Sequence, residues 1–225
     1  MKIAFVSDIH GNYEGLIAVL KQIGRIDMII CAGDITGYYP FVNEVVNKIK
    51  KSNIVSVRGN HDQYLLDGKA PESANQKVKD SIEYTKKIIS KESLRFLEKL
   101  PNRLMLGIKG KRVLVCHGSP WDHLEGRIYP DYANFERFKS VDADIIVLGH
   151  THYPLVKKVG GKTILNPGSC GQPRDYNLLS YAIWDTDKNS FEIKRAEWDI
   201  EKFKKEAGKK GIDSKLFEVF NRSRM

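Results

Sequence analysis

Five short apolar runs in this chain each stop at a residue whose side chain carries an oxygen or nitrogen donor. The run at 3–6 leads to Asp8 and His10, 28–31 to Asp34, and 54–57 to Asn60 and His61. The runs at 113–116 and 145–148 lead to His117 and to the pair His150 and His152. A continuous apolar run of about four residues is the pattern of a strand covered on both faces, as in a parallel sheet. In such sheets ligands collect outside the carboxyl ends of the strands. One strand-end Asp-x-His is commonplace. Five of the six histidines lie at these ends, however, and only His123 does not, which predicts a shared site.

The stretches between the runs fill in the fold class. Leu16, Ile17, Leu20 and Ile23 share one helical face, capped by Asn12 and stopped near Gly24. Val42, Val45, Val46 and Ile49 repeat the pattern, so the first three strands read as β-α-β-α-β, parallel with right-handed crossovers. Residues 63–100 read as a loop followed by two helices between 75 and 99, a helical cap beside the sheet. Hairpins are expected at 104–116 around Lys109-Gly110-Lys111 and at 155–165 around Gly160-Gly161. A third pair of strands, 181–184 and 191–198, alternates apolar and polar residues. A short helix is expected around Phe135 and Phe138, and a basic helical tail from about residue 199. No repeat or linker divides the chain, so 1–225 is read as a single domain.

Composition narrows the classes. With 41% hydrophobic and 29% charged residues the chain is of ordinary globular make-up. No apolar stretch approaches the ~20 residues that span a bilayer. The first apolar run is broken at once by Ser7 and Asp8, unlike a cleavable leader, so the expected location is the cytoplasm. The three cysteines form no C-x-x-C pair, and Cys31 and Cys116 close apolar runs as small buried hydrophobes. A disulfide framework or thiolate zinc site is not expected. The formal charge of +9 suits a polyanionic partner such as a phosphate ester or nucleic acid, although a lysine-rich solvated surface is the better default. The expected substrate is a small phosphate ester or nucleotide. Nucleic acid is less favoured, because no basic run is interleaved with aromatic residues.

The strand-end residues also point to a chemistry. Two carboxylates (Asp8, Asp34), four imidazoles (His10, His117, His150, His152) and one amide (Asn60), without thiolate, suit Mn²⁺, Fe, Zn²⁺, Ni²⁺ or Co²⁺. The set exceeds the needs of one ion and points to two, with Asp34 as the bridge, one oxygen facing each. Two ions ~3.5–4 Å apart can hold a bridging hydroxide and clamp phosphate oxygens during in-line displacement. His61, directly after Asn60, should stand beside the ions, where it could protonate a leaving alkoxide or stabilise phosphoryl charge. Arg174 and Arg58 are candidates to grip a phosphate oxygen. Asn12 is a substrate contact or merely a helix cap, and His123 a loop histidine. Tyr38, Tyr39 and Trp121 either line the mouth or pack.

These blocks carry a family resemblance. D-x-H at 8–10, G-D-x-x-G at 33–37, G-N-H-D at 59–62, H-G at 117–118 and G-H-T-H at 149–152 resemble the calcineurin-like metallophosphoesterases, from Lys2 to about Trp198. The likeness is nearest to the small bacterial and archaeal YfcE-like phosphodiesterases, and Asn166-Pro-Gly-Ser169 and Gln172-Pro-Arg-Asp175 fit that placement. Asp62 departs from the Glu that the protein Ser/Thr phosphatases carry after the Asn-His pair. The resemblance implies a four-layer α-β-β-α sandwich with two mixed β-sheets. It implies one ion, Mn²⁺ foremost, on Asp8, His10, Asp34 and His152, and a second on Asp34, Asn60, His117 and His150. It gives His61 the role of proton donor or electrostatic catalyst. The implied activity is phosphodiester hydrolysis, with phosphomonoesters or dinucleoside polyphosphates as alternatives. A metal-retaining interaction scaffold is the reading from another class, and the apolar residues of 63–100 leave room for a homodimer.

Overall fold

A computed structural model of the chain describes residues 1–222. The apolar runs become the centres of two mixed five-stranded sheets. In the first, β10 (Ser190–Ala196), β9 (Leu179–Asp185), β1 (Lys2–Val6), β2 (Met28–Cys31) and β3 (Val55–Ser56) lie in that order. β1, β2 and β3 are parallel, and β9 closes on β1 antiparallel with Ile3 opposite Trp184. The second sheet runs β4 (Arg103–Ile108), β5 (Lys111–Cys116), β6 (Ile145–Val147), β8 (Lys162–Asn166), β7 (Leu155–Val159). Its three central strands are parallel and its two edges antiparallel.

Successive strand residues point to opposite faces, so a run that is apolar throughout feeds two cores. Ile3, Phe5 and Ile30 from the first sheet meet Val113, Val115, Ile145 and Val147 from the second in a core between the sheets. Leu114, Cys116 and Ile146 turn the other way, onto Phe138 and Ala143. That outer cover is thin, a 3₁₀ turn over Phe135–Ser140 with its flanking loops. The first sheet's outer face is covered more heavily, by α1 (Tyr13–Ile23) and α2 (Val42–Lys51) among others.

Side-chain caps set where helices begin. Asn12 accepts from the Gly15 N–H at 2.8 Å, starting α1. Asn75, Ser90 and Asp199 do the same for α4 (Gln76–Ile88), α5 (Lys91–Glu98) and α6 (Ile200–Lys209). Residues 63–100 thus hold the two expected helices. They are preceded by a helix the sequence reading missed, α3 (Asn60–Leu66), which begins where a strand end and loop were expected. Asp62 explains this start, because its carboxylate accepts the Gly59 N–H at 3.0 Å in the first turn. β3 shrinks to two residues in consequence.

The tail forms α6 and then a 3₁₀ turn over Ser214–Asn221; the tail's final residues, 223–225, lie outside the described residues. Phe203, Phe217 and Phe220 pack around the buried ring of Tyr39, at centroid distances of 5.0, 6.3 and 5.8 Å. Among the described residues no helix is long and apolar enough to cross a membrane.

Candidate metal centre

The loops leaving β1, β2, β5 and β6, together with the first turn of α3, meet at one end of the sandwich. They bring Asp8, His10, Asp34, Asn60, His117, His150 and His152 into a common cluster, each at most 8% exposed. His10 Nε2 lies 3.1 Å from His152 Nε2, and His152 Nε2 lies 3.3 Å from Asp8 Oδ1. On the other side, His117 Nε2 lies 3.0 Å from Asn60 Oδ1, which is 3.1 Å from His150 Nδ1. Asp34 joins the halves, its Oδ2 being 3.6 Å from His10 Nε2 and 3.3 Å from His117 Nε2. The other oxygen, Asp34 Oδ1, accepts the His61 backbone N–H at 2.9 Å.

The backbone is bent to achieve this. Asp8, His10, Asp34, His150 and His152 all have positive φ, between 51° and 67°. That left-handed conformation costs about 1 kcal/mol or more at a non-glycine residue and persists only where surrounding contacts hold it. The Asp8 and His10 N–H groups donate to the Gly33 and Asp34 carbonyls at 3.0 and 2.9 Å. The His150 N–H donates to Asp8 Oδ1 at 3.1 Å, across the two sheets. The Ser169 hydroxyl donates to the Asp8 carbonyl at 2.7 Å, and Asn166 Nδ2 to the Gly149 carbonyl at 2.7 Å. Asp62 is enclosed and accepts from Ile35 N, Thr36 N, Thr36 Oγ1 and Gly59 N, locking the Asp34 loop to α3.

The donor set fits cations. His10, His117 and His152 direct Nδ1 at the carbonyls of Thr36, Ala32 and Gln172, at 3.0, 2.8 and 2.6 Å. An Nδ1–H donated there leaves Nε2 bare, the arrangement that orients imidazole ligands. Burial holds His10 and His152 well below their usual range, so both rings are neutral and their lone pairs face each other. Such convergence is unfavourable without a positive charge to share. Asp8 Oδ2 is buried with no hydrogen-bond partner, which is costly unless something cationic satisfies it. Donor atoms of Asp8, His10 and His152, and of Asp8, Asp34 and His117, each lie within 4.8 Å of one another. His61 forms a third such group with His10 and Asp34.

The ion-free electrostatics show how concentrated the charge is. Burial, opposed by His117 and reinforced by Asp34, pushes the Asp8 carboxyl up to about 7. Burial would raise Asp34 too, but His117 and His61 outweigh it and hold that carboxyl low. Burial works against charge on His117, yet Asp34 and Asp8 lift it to about 9. Burial lowers His61 to about 4, so its ring is neutral near pH 7. His61 Nδ1 has no partner among the described residues, and its ring sits 4.7 Å from that of His10.

A cavity of about 760 Å³ opens over this cluster, with His61, His150 and His152 in its floor and Tyr38, Arg127 and Arg174 among its walls. The 71–78 segment closes one side. Arg174 is among the residues that line the cavity. Arg58 is not, for its guanidinium donates to Gln63 Oε1 and to the Leu97 and Glu98 carbonyls, closing the end of α5. Asn12 is likewise spent, capping α1 and donating to the Gly171 carbonyl at 2.7 Å. Tyr39 is core, and Trp121 meets Phe138 edge to face under the Arg137 guanidinium. His123 does not line the cavity, although its carbonyl accepts from Gly118 N. Arg127 escaped the sequence reading. Its Nε–H donates to His150 Nε2 at 3.2 Å, but nothing in the irregular stretch after His117 marks it beforehand.

Comparison with known proteins agrees with this geometry. Residues 1–189 match the model of the calcineurin-like phosphoesterase superfamily domain. The chain is 40% identical over 223 aligned positions to the uncharacterized protein MJ0912 of Methanocaldococcus jannaschii, covering 89% of each. It is 26% identical over 205 positions to phosphodiesterase YfcE of Escherichia coli, covering 83% of this chain and 89% of that one. Among solved structures, a metallophosphoesterase from Sphaerobacter thermophilus superposes with a TM-score of 0.86 at 30% identity, covering 98% of both chains. The hypothetical protein PH1004 of Pyrococcus horikoshii superposes at 0.89 with 22% identity over 97% of each, a likeness of fold. The chain belongs to the calcineurin-like phosphoesterase superfamily, among its small bacterial and archaeal members.

Proposed function

We propose that this protein hydrolyses phosphate esters, phosphodiesters foremost, at a centre of two divalent ions. Asp8, His10, Asp34 and His152 would hold one, and Asp34, Asn60, His117 and His150 the other, with Mn²⁺ the first choice for such ligands. When bound, the ions supply an activated water and neutralise phosphate charge. The chain's own residues do the rest. Arg174 and Arg127 face the cavity and can each take a phosphoryl oxygen, the planar guanidinium matching two oxygens at once. Arg127 reaches His150 Nε2 from the cavity wall, which would set its guanidinium beside a phosphate held at the centre. His61, neutral and beside Asp34, offers a ring N–H to the leaving oxygen or to developing phosphoryl charge. The whole chain would act as one domain, the helices of 63–100 capping the cavity and limiting water.

The observation that carries this reading is the buried, partnerless Asp8 Oδ2 amid facing histidine lone pairs, beneath a cavity lined by arginine. Hydrolysis of bis-p-nitrophenyl phosphate with added Mn²⁺ tests it. Wild type should turn over, and chelator should abolish the activity. Asp34→Asn should lose both bound metal and rate, whereas His61→Ala should keep most metal and lose about 10²–10⁴ in kcat. A metal-loaded wild type without turnover on any mono-, di- or dinucleotide ester would leave the scaffold reading standing.

A further inference from the structure

The family match ends at residue 189, yet the chain continues through β10, α6 and the 3₁₀ turn 214–221. That last turn does more than cover Tyr39. A second hollow, about 360 Å³, lies between it and the start of α4 and shares Tyr38, Asn75 and Arg174 with the cavity above the metal cluster. Its remaining walls carry Lys77, Lys215 and Arg222 against one acid, Glu218. Lys77 Nζ contacts Glu218 Oε2 at 3.4 Å and the Lys215 carbonyl at 3.1 Å, which ties α4 to the turn and neutralises the acid. Among the described residues no ion pair engages Arg174, Lys215 or Arg222. Three cations that no ion pair engages, around a hollow that shares three of its walls with the cavity above the metal cluster, favour a second anion there.

We infer that this hollow is a subsite for a second phosphate group of the substrate, so that the preferred substrate is a small nucleoside phosphodiester that carries a further phosphate group. The inference builds on the phosphoesterase reading of the neighbouring centre. A small ligand fits better than a polymer because the positive surface ends at the turn. The next hollow along α4 is lined by Asp80 and Asp213 as well as by Lys77 and Lys215.

Calorimetric titration of the Mn²⁺-supplemented protein with adenosine 5′-monophosphate and adenosine 3′,5′-bisphosphate tests this, with ligand integrity checked afterwards by chromatography. The bisphosphate should bind about tenfold or more tightly, the range of one or two charge-assisted contacts. Lys215→Glu, and Lys215→Glu with Arg222→Glu, should carry that ratio toward one while circular dichroism shows an intact fold. A parallel ratio should appear in kcat/KM for p-nitrophenyl esters of thymidine 5′-phosphate with and without a 3′-phosphate. Equal binding of the two ligands, or a bisphosphate advantage that survives both charge reversals, would overturn the subsite. So would deoxyoligonucleotides that gain affinity with every added nucleotide. A bisphosphate advantage without ester turnover would sustain the subsite and sink the hydrolase reading; turnover without the advantage would do the reverse.

Discussion

At the scale of single residues, the centre depends on close approaches that leave no room for a side chain. Gly59 stands between the Asp34 loop and α3, and a Cβ built there would lie 2.1 Å from Asp34 Oδ1 and 2.2 Å from the Asp34 nitrogen. The obstruction is backbone as well as carboxylate, so it cannot be relieved by a rotamer change. Gly59→Ala should therefore displace Asp34, cost about 1–3 kcal/mol or more through overpacking, and lower the bound metal per chain. Urea denaturation and elemental analysis of the purified variant check both halves; unchanged stability with full metal content would refute the placement of Asp34. The left-handed backbone of Asp8, His10, Asp34, His150 and His152 belongs to the same crowded cluster. Those residues are strained into one cluster by neighbours such as Ser169 and Asn166, which bind no ion themselves.

At the scale of elements, the tail is tied to the rest of the molecule by aromatic packing. α6 is polar on most of its surface, but Phe203 and Ala207 are buried, and Phe203 meets Tyr39, Phe41, Trp198, Phe217 and Phe220. Removing such a ring leaves a cavity among rigid aromatic walls. Phe203→Ala should destabilise the protein by about 3–5 kcal/mol in chemical denaturation. It should also raise KM more than it changes kcat, because Tyr39 adjoins the cavity-lining Tyr38 while the ligand loops are anchored elsewhere. A loss well under 1 kcal/mol would show that the tail is only loosely docked.

At the scale of the whole molecule, the centre is where the two sheets are stitched together. The ring of His117, from the second sheet, bonds the Ala32 carbonyl after β2, and the His150 N–H bonds Asp8 after β1. Ions held by residues of both sheets would bind the folded chain and not the unfolded one. Each ion present at about 100 times its dissociation constant should add about 2.7 kcal/mol of stability. For a chain of this length that corresponds to roughly 5–10 °C in Tm per ion. Calorimetric scans before and after chelator should show the fall, and restored Mn²⁺ should reverse it; identical Tm values would mean that no ion bridges the sheets.

What the sequence alone determined is the inventory and its order. Apolar runs of strand length, each ended by Asp, Asn or His, are local facts, and the rule that parallel strands present their carboxyl ends together converts them into one site. The family blocks and all seven proposed ligands were legible for that reason. Helix starts were legible where a cap lies beside the helix, as at Asn12, Asn75, Ser90 and Asp199, but not at α3, whose start depends on Asp62 closing back onto Gly59. Tertiary structure alone decided how each donor is used. It spent Asn12 on Gly171 and Arg58 on α5, brought Arg127 to His150, and turned a single oxygen of Asp34 toward both halves of the centre. These outcomes hang on hydrogen bonds between groups from 23 to 159 residues apart in the chain, which no local pattern encodes.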